Sequence, residues 1–189
     1  MANIFITGAT GYFGKKLLPR LIARGHHVQA LVRTQSANRL PAGCTAVPGD
    51  ALVKESYAAH VRGADTFVHM VGVAHPNPAK AAEFRNIDLV SSQAAISAAV
   101  EARVRHFIYI SVAHPAPVMK AYITVRTECE NKLIASGLNA TILQPWYVLG
   151  PGHRIAGLIC CSQDIGCWSG CPPPAMEPAV SAWSLWSKW

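Results

Sequence analysis

Seven residues, Gly8-Ala9-Thr10-Gly11-Tyr12-Phe13-Gly14, stand between an alternating, β-branched run (Asn3–Thr7) and an apolar pattern of helical period at Phe13, Leu17, Leu18, Leu21 and Ile22. Glycine at every third position of a strand-to-helix turn constrains this chain more than any other feature. Gly8 allows the tight turn, Gly11 lets a ligand approach the backbone, and Gly14 lets the helix pack closely on the strand. Backbone N–H groups and the positive end of the new helix then favour a bound anion. An ordinary βα turn that is glycine-rich by chance is the plain alternative. The strand before it and the helix after it favour a cradle for the pyrophosphate of a dinucleotide, with all seven residues as its first expected contacts.

The rest of the chain alternates in the same way. Gly25 stops the first helix, and strands are read at His27–Val32, 45–47, 66–71, His106–Ile110 and Ala140–Leu143. Helices are read at 52–61, 79–102 and 119–136, with Ile87, Val90, Ala94 and Ala98 as the inward stripe of the second. Strict alternation implies parallel strands joined by right-handed crossovers. The fold class is therefore α/β, a doubly wound parallel sheet in the order 3-2-1-4-5-6, with ligands at the carboxyl ends of the strands.

Composition narrows the function classes. The chain of 189 residues is 51% hydrophobic and 14% charged, with a mean hydropathy of +0.21. No apolar run reaches the ~18 residues of a membrane span, and the N-terminus has no signal pattern, so a cytoplasmic protein is expected. The formal charge of +7 comes from scattered residues such as Arg20, Arg33, Arg62, Arg103 and Arg126. With no basic block, attraction of an anionic cofactor is expected rather than nucleic-acid binding. No Cys/His cluster in residues 1–154 has the spacing of a metal site.

The glycines are spaced Gly-x-x-Gly-x-x-Gly. Together with Phe84-Arg85-Asn86-Ile87-Asp88, Phe107-Ile108-Tyr109-Ile110-Ser111, Leu138-Asn139-Ala140-Thr141-Ile142-Leu143-Gln144-Pro145 and Gly150, this resembles the extended and atypical short-chain dehydrogenase/reductases. Within them the chain is similar to NmrA-like proteins and the nucleotide-binding accessory subunit of respiratory complex I. The resemblance covers residues 1 to about 154 and implies a Rossmann fold binding a nicotinamide dinucleotide. Arg33, at the end of strand two where an NAD enzyme usually carries an acid, suits a 2′-phosphate, so NADP(H) is preferred and NAD(H) is possible. A solvated surface arginine is the plainer reading of Arg33. Asp50 resembles the family's acid that accepts from the adenine amino group, and Ala51, Val71 and Gly72 complete the expected cofactor contacts.

The resemblance also implies a catalytic tyrosine, a lysine four residues later, a serine and an asparagine. Tyr122, Arg126, Ser111 and Asn86 stand in those places, acting on an unknown small carbonyl, hydroxyl or sugar-nucleotide-like substrate. Arg126 replaces the lysine: its charge depresses a neighbouring phenol's pKa, but its planar fork does not reproduce an ammonium's contacts. Gln144 replaces the arginine expected before Pro145. Two readings of Tyr122 follow, a proton donor for hydride transfer or a wall of the cleft in a non-catalytic redox sensor or assembly module. His69 and His75 flank the loop after strand four and receive no role.

After Arg154 the composition changes. Cys160, Cys161, Cys167, Cys171, Trp168, Trp183, Trp186 and Trp189 crowd residues 155–189, and Pro172-Pro173-Pro174 blocks a helix. Three readings compete: a metal knuckle, for which the C-x-x-C spacing is absent, a membrane-seeking tail, and a shifted reading frame. The last is preferred, because Cys and Trp codons begin with TG and a one-base shift turns each into a Leu, Val or Met codon. On that reading the fold stops before its substrate-binding portion and the tail is poorly ordered.

Overall fold

The structure is a computed structural model that describes residues 1–113, 119–146 and 148. The tail, with its expected frame shift and disorder, lies outside the described residues. Residues Met1–Val148 form one compact unit.

Six parallel strands, β1 (Asn3–Thr7), β2 (His27–Val32), β3 (Cys44–Pro48), β4 (Thr66–His69), β5 (His106–Ile110) and β6 (Ala140–Leu143), pair in the order β3-β2-β1-β4-β5-β6. This is the expected doubly wound sheet. Side chains of period two divide its strands between two cores. On one face Ile4, Ile6, Val28, Ala30, Val32 and Val68 pack with Leu18 of α1 (Tyr12–Ala23). The other face stacks Phe5, Phe67 and Phe107 in register, at 5.2 and 5.1 Å between rings, under α4 (Val90–Glu101) and α5 (Lys120–Ala135). The next row toward the carboxyl ends is Thr7, His69 and Tyr109. The apolar sheet face thus turns polar where the ligand side begins.

Three local features depart from the sequence reading. The helix read at 52–61 forms only a 3-10 turn (Lys54–Ser56) and α2 (Ala58–Val61). Ser56 Oγ donates to the carbonyls of Asp50 and Val53 and accepts from the Asp50 N–H, a side-chain alternative to helical bonding. A 3-10 helix (Thr34–Arg39) follows β2, where none was expected.

The long helix read at 79–102 is a composite. Asn77 caps a 3-10 turn (Pro78–Lys80) by accepting the Ala79 N–H at 3.0 Å. Then come α3 (Ala81–Glu83), a π-helical turn (Phe84–Leu89) and α4. The extra residue of the π-turn rotates the inward stripe, so Asp88, Ser91, Ser92, Ala95, Ala98 and Ala99 are buried while Val90 is exposed. Of the expected stripe, Ala98 is buried and Ile87 packs on the core, but Val90 is exposed, because the inward face turns on Asp88, whose partner is remote in sequence. Among the described residues no helix is long and apolar enough to cross a membrane.

Candidate dinucleotide site

The glycine loop sits where β1 delivers it, at the carboxyl edge of the sheet. Gly8 is left-handed (φ +78°), and a Cβ there would lie 2.7 Å from the carbonyl of Met70, so the loop rests on the chain leaving β4. Gly14 is buried against Ala9, whose carbonyl oxygen would stand 2.0 Å from an added Cβ. Gly11 precedes α1 with no side-chain cap, and its carbonyl accepts the Lys15 N–H at 3.0 Å. A Cβ on Gly11 would meet only the Gly8 carbonyl, at 3.2 Å. The outer face of the cradle is therefore open, and the first turn of α1 presents its N–H groups to it. A dinucleotide's pyrophosphate fits this arrangement.

The three glycines have separable tasks. Gly14→Ala is expected to prevent folding, because the clash is with backbone. Gly11→Ala is expected to stay within about 1 kcal/mol of wild-type stability while losing at least about tenfold in dinucleotide affinity. Urea unfolding and fluorescence titration check both.

Around the cradle, Tyr12 is half-buried and Phe13 exposed, with their rings edge to face at 6.1 Å; Ala9 is buried and Thr10 half-buried. Arg33 is exposed, with extended backbone at the start of the 3-10 helix, and its carbonyl accepts the Ser36 N–H at 2.7 Å. Asp50 is exposed, but Oδ1 accepts the Leu52 N–H at 2.9 Å, so one carboxylate oxygen holds its own turn. Ala51 and Val71 are half-buried and Gly72 is exposed. These expected cofactor contacts lie on the loops after β1, β2, β3 and β4, which share one edge of the parallel sheet.

The expected catalytic group is only partly assembled. Tyr122 and Arg126 do share a face of α5, with the guanidinium 5.1 Å from the phenol ring, and Phe84 packs on that ring at 4.9 Å. Arg126, however, points inward and is buried. Its Nη2 donates to Asp88 Oδ1 at 2.5 Å, and its Nη1 to Tyr109 Oη at 3.1 Å and the Ile110 carbonyl at 2.9 Å. Burial raises the Tyr122 phenol more than the Arg126 charge lowers it, so the expected depression is reversed.

Ser111 directly follows β5 and is buried, but its hydroxyl donates to Glu130, which also takes the Gln144 amide at 3.0 Å on both oxygens. In this arrangement Ser111 offers a substrate an acceptor rather than a donor. Asn86 is exposed on the π-turn while Asp88, two residues on, turns inward to Arg126. Asp88 and Glu130 are the groups that sequence reasoning missed. No stripe read from the sequence contained Asp88, which the π-turn brings inside; for Glu130 the available signal was an acid four residues beyond Arg126 on the same helix face.

His69 does not face the cleft. It is fully buried, bonded through Nδ1 to Thr7 Oγ1 at 2.8 Å and stacked on Tyr109 at 5.9 Å. Burial, with a smaller contribution from Arg126, lowers its pKa to about 3. Its neutral ring belongs to the polar row of the sheet. His75 is exposed at a positive φ of 50°. Among the described residues no group of three or more His, Cys, Asp or Glu is placed to hold a metal ion.

A ketoreductase of 4-hydroxy-2-methyl-3-oxo-4-farnesyl-3,4-dihydroquinoline-1-oxide from Stigmatella aurantiaca is 25% identical over 168 residues, covering 77% of this chain and 50% of its own. The photosystem II assembly factor Ycf39 of Cyanidium caldarium is 26% identical over 149 residues, covering 76% of this chain and 46% of its own. The chain thus spans about half the length of these curated relatives. The Bordetella bronchiseptica enzyme WbmH, solved in complex with NAD+, superposes with a TM-score of 0.69 at 21% identity, over 82% of this chain and 58% of that one, and so shares the fold. The NAD(P)H-binding family matches residues 8–154, the stretch that carries the cradle, the β4 loop and α5. The chain belongs to this NAD(P)H-binding family and has the Rossmann fold, and its ligand is a nicotinamide dinucleotide.

Proposed function

We propose that this chain is the cofactor-binding portion of an NADP(H)-dependent reductase of a small carbonyl compound, with Tyr122 as the proton donor. The bound nicotinamide supplies the hydride. The glycine cradle carries this reading: Gly8–Gly14 would hold the pyrophosphate at the carboxyl edge of the sheet, against the loop after β4 that carries Val71 and Gly72. Tyr122, protonated through neutral pH because burial raises its phenol, then serves as an acid toward a carbonyl oxygen gaining charge. Reduction is the direction such a group favours. The pH profile of turnover is expected to show no loss from Tyr122 until above about pH 10, and Tyr122→Phe is expected to lose at least about a hundredfold in kcat; wild-type turnover in Tyr122→Phe would overturn the assignment.

NADP(H) is preferred because Arg33 lies exposed where strand β2 ends, with no acid at that position to hold a ribose 2′-hydroxyl. Wild type is expected to bind NADPH at least about tenfold tighter than NADH, and Arg33→Ala to bind both alike. Equal affinities in the wild-type chain would sink the preference.

A second reading is a non-catalytic dinucleotide-binding sensor or assembly module. It is favoured by Arg126 being sequestered in the interior and by the engagement of the Ser111 hydroxyl with Glu130. Tight NADPH binding by the full-length protein, with no turnover across a panel of ketones and aldehydes, would select it.

A further inference from the structure

We propose that Asp88 is a positioning residue that ties the dinucleotide cleft to the helix carrying Tyr122. The proposal rests on the dinucleotide reading above and assigns a task to a residue outside the expected site. Asp88 is 1% exposed and Arg126 5% exposed. One carboxylate oxygen, Oδ2, accepts the Val73 N–H at 3.1 Å, and the other accepts from Arg126 Nη2 at 2.5 Å. A single side chain therefore holds both the loop leaving β4 and helix α5.

The loop it holds is the one on which the cradle rests. A Cβ on Gly8 would meet Met70 and Val71, and a Cβ on Gly72 would lie 2.3 Å from Arg126 Nη2 and 3.2 Å from Asp88 Oδ1. Arg126 Nη2 stands against the Gly72 backbone, while Nη1 donates to Tyr109 Oη and to the Ile110 carbonyl at the end of β5. From Gly8 the contacts run without a gap through Met70–Val73 to Asp88, Arg126 and the face of α5 that bears Tyr122. Two apolar side chains would fill this space with similar stability, because desolvation offsets most of a buried ion pair's attraction. A charged pair adds directionality: it fixes Val73, Gly72 and α5 at hydrogen-bond distances, the kind of support that keeps a binding site in register.

The test replaces both charges at once in the full chain, Asp88→Leu/Arg126→Met, which strands no buried charge, although the Val73 N–H and the Ile110 carbonyl each lose a partner. The urea midpoint is expected to fall by less than in Arg126→Met alone, where a buried charge is stranded. Hydrogen exchange at the Val73 amide and the Kd for NADPH, read by fluorescence, are each expected to rise roughly tenfold. Wild-type exchange at Val73 together with a wild-type Kd in the folded double variant overturns the proposal. Should the double variant fail to fold, the wild-type chain still decides: NADPH is expected to slow exchange at Val73, and an unchanged rate overturns the coupling. A wild-type chain that binds neither NADPH nor NADH overturns the dinucleotide reading instead, and the Val73 amide of the ligand-free double variant then judges the anchor separately.

Discussion

Arg126→Met is expected to lower the stability of the folded unit by about 3–5 kcal/mol, the range measured when one partner is removed from a buried ion pair. The reason is the carboxylate left behind. Asp88 has a side chain with no solvent exposure, and burial already pushes its pKa up against the opposing pull of Arg126 and the Val73 N–H. Without the guanidinium that opposition weakens, and the Asp88 carboxyl titrates still higher. A carboxyl whose folded pKa lies above its unfolded value near 4 makes stability fall as pH rises, so the variant loses most of its stability at neutral pH and regains some in mild acid. Arg126→Lys restores the charge without the fork and cannot reach Asp88, Tyr109 and the Ile110 carbonyl together, so an intermediate loss is expected. Urea unfolding at two pH values measures both, and a neutral-pH loss below about 1 kcal/mol for Arg126→Met would show that the pair is not a buried contact in solution.

Acid is expected to weaken the fold through His69 well before the carboxylates take part. In the unfolded chain this histidine gains a proton near its ordinary value of about 6.5; in the folded unit it stays neutral down to about 3. Between those limits the unfolded state binds the extra proton. Stability is therefore fully present above about pH 6.5 and falls as pH drops toward 3, by about 2 kcal/mol between pH 7.5 and pH 5. Asp65 and Glu101 have carboxyl pKa values lowered by hydrogen bonds, Asp65 from the Asn3 N–H and Glu101 from Lys54, and their contributions are lost only below their ordinary values. Thr7→Val/His69→Phe removes the titrating ring and its hydrogen-bond partner while keeping an aromatic under Tyr109. The slope between pH 7.5 and pH 5 is expected to flatten in that variant; if it persists, another group carries it.

The two effects show where sequence reading stopped. Gly8, Gly11 and Gly14 were readable because their task is local: each answers to backbone within a few residues or at the next strand end. The sheet order was readable for a related reason, since alternating periods of two and 3.6 leave few ways to wind parallel strands. The inward stripe of α4 was not, because a π-turn is chosen by what it brings inside. Arg126 illustrates the same limit. Its spacing from Tyr122 placed both on one helix face, as they are, yet the face alone does not say whether a guanidinium turns toward a cofactor or into the core.

What the sequence by itself determined is the doubly wound sheet, the glycine cradle at its carboxyl edge and the residues that reach that edge from four strands. These follow from local periodicity and from glycine's freedom to turn. Only the tertiary structure decided which polar groups face the ligand and which face one another: His69 with Thr7, Ser111 with Glu130, and Arg126 with Asp88. The physical reason is that a buried polar group must find a partner, and that partner is set by packing between elements 19 to 62 residues apart rather than by the spacing along any one of them.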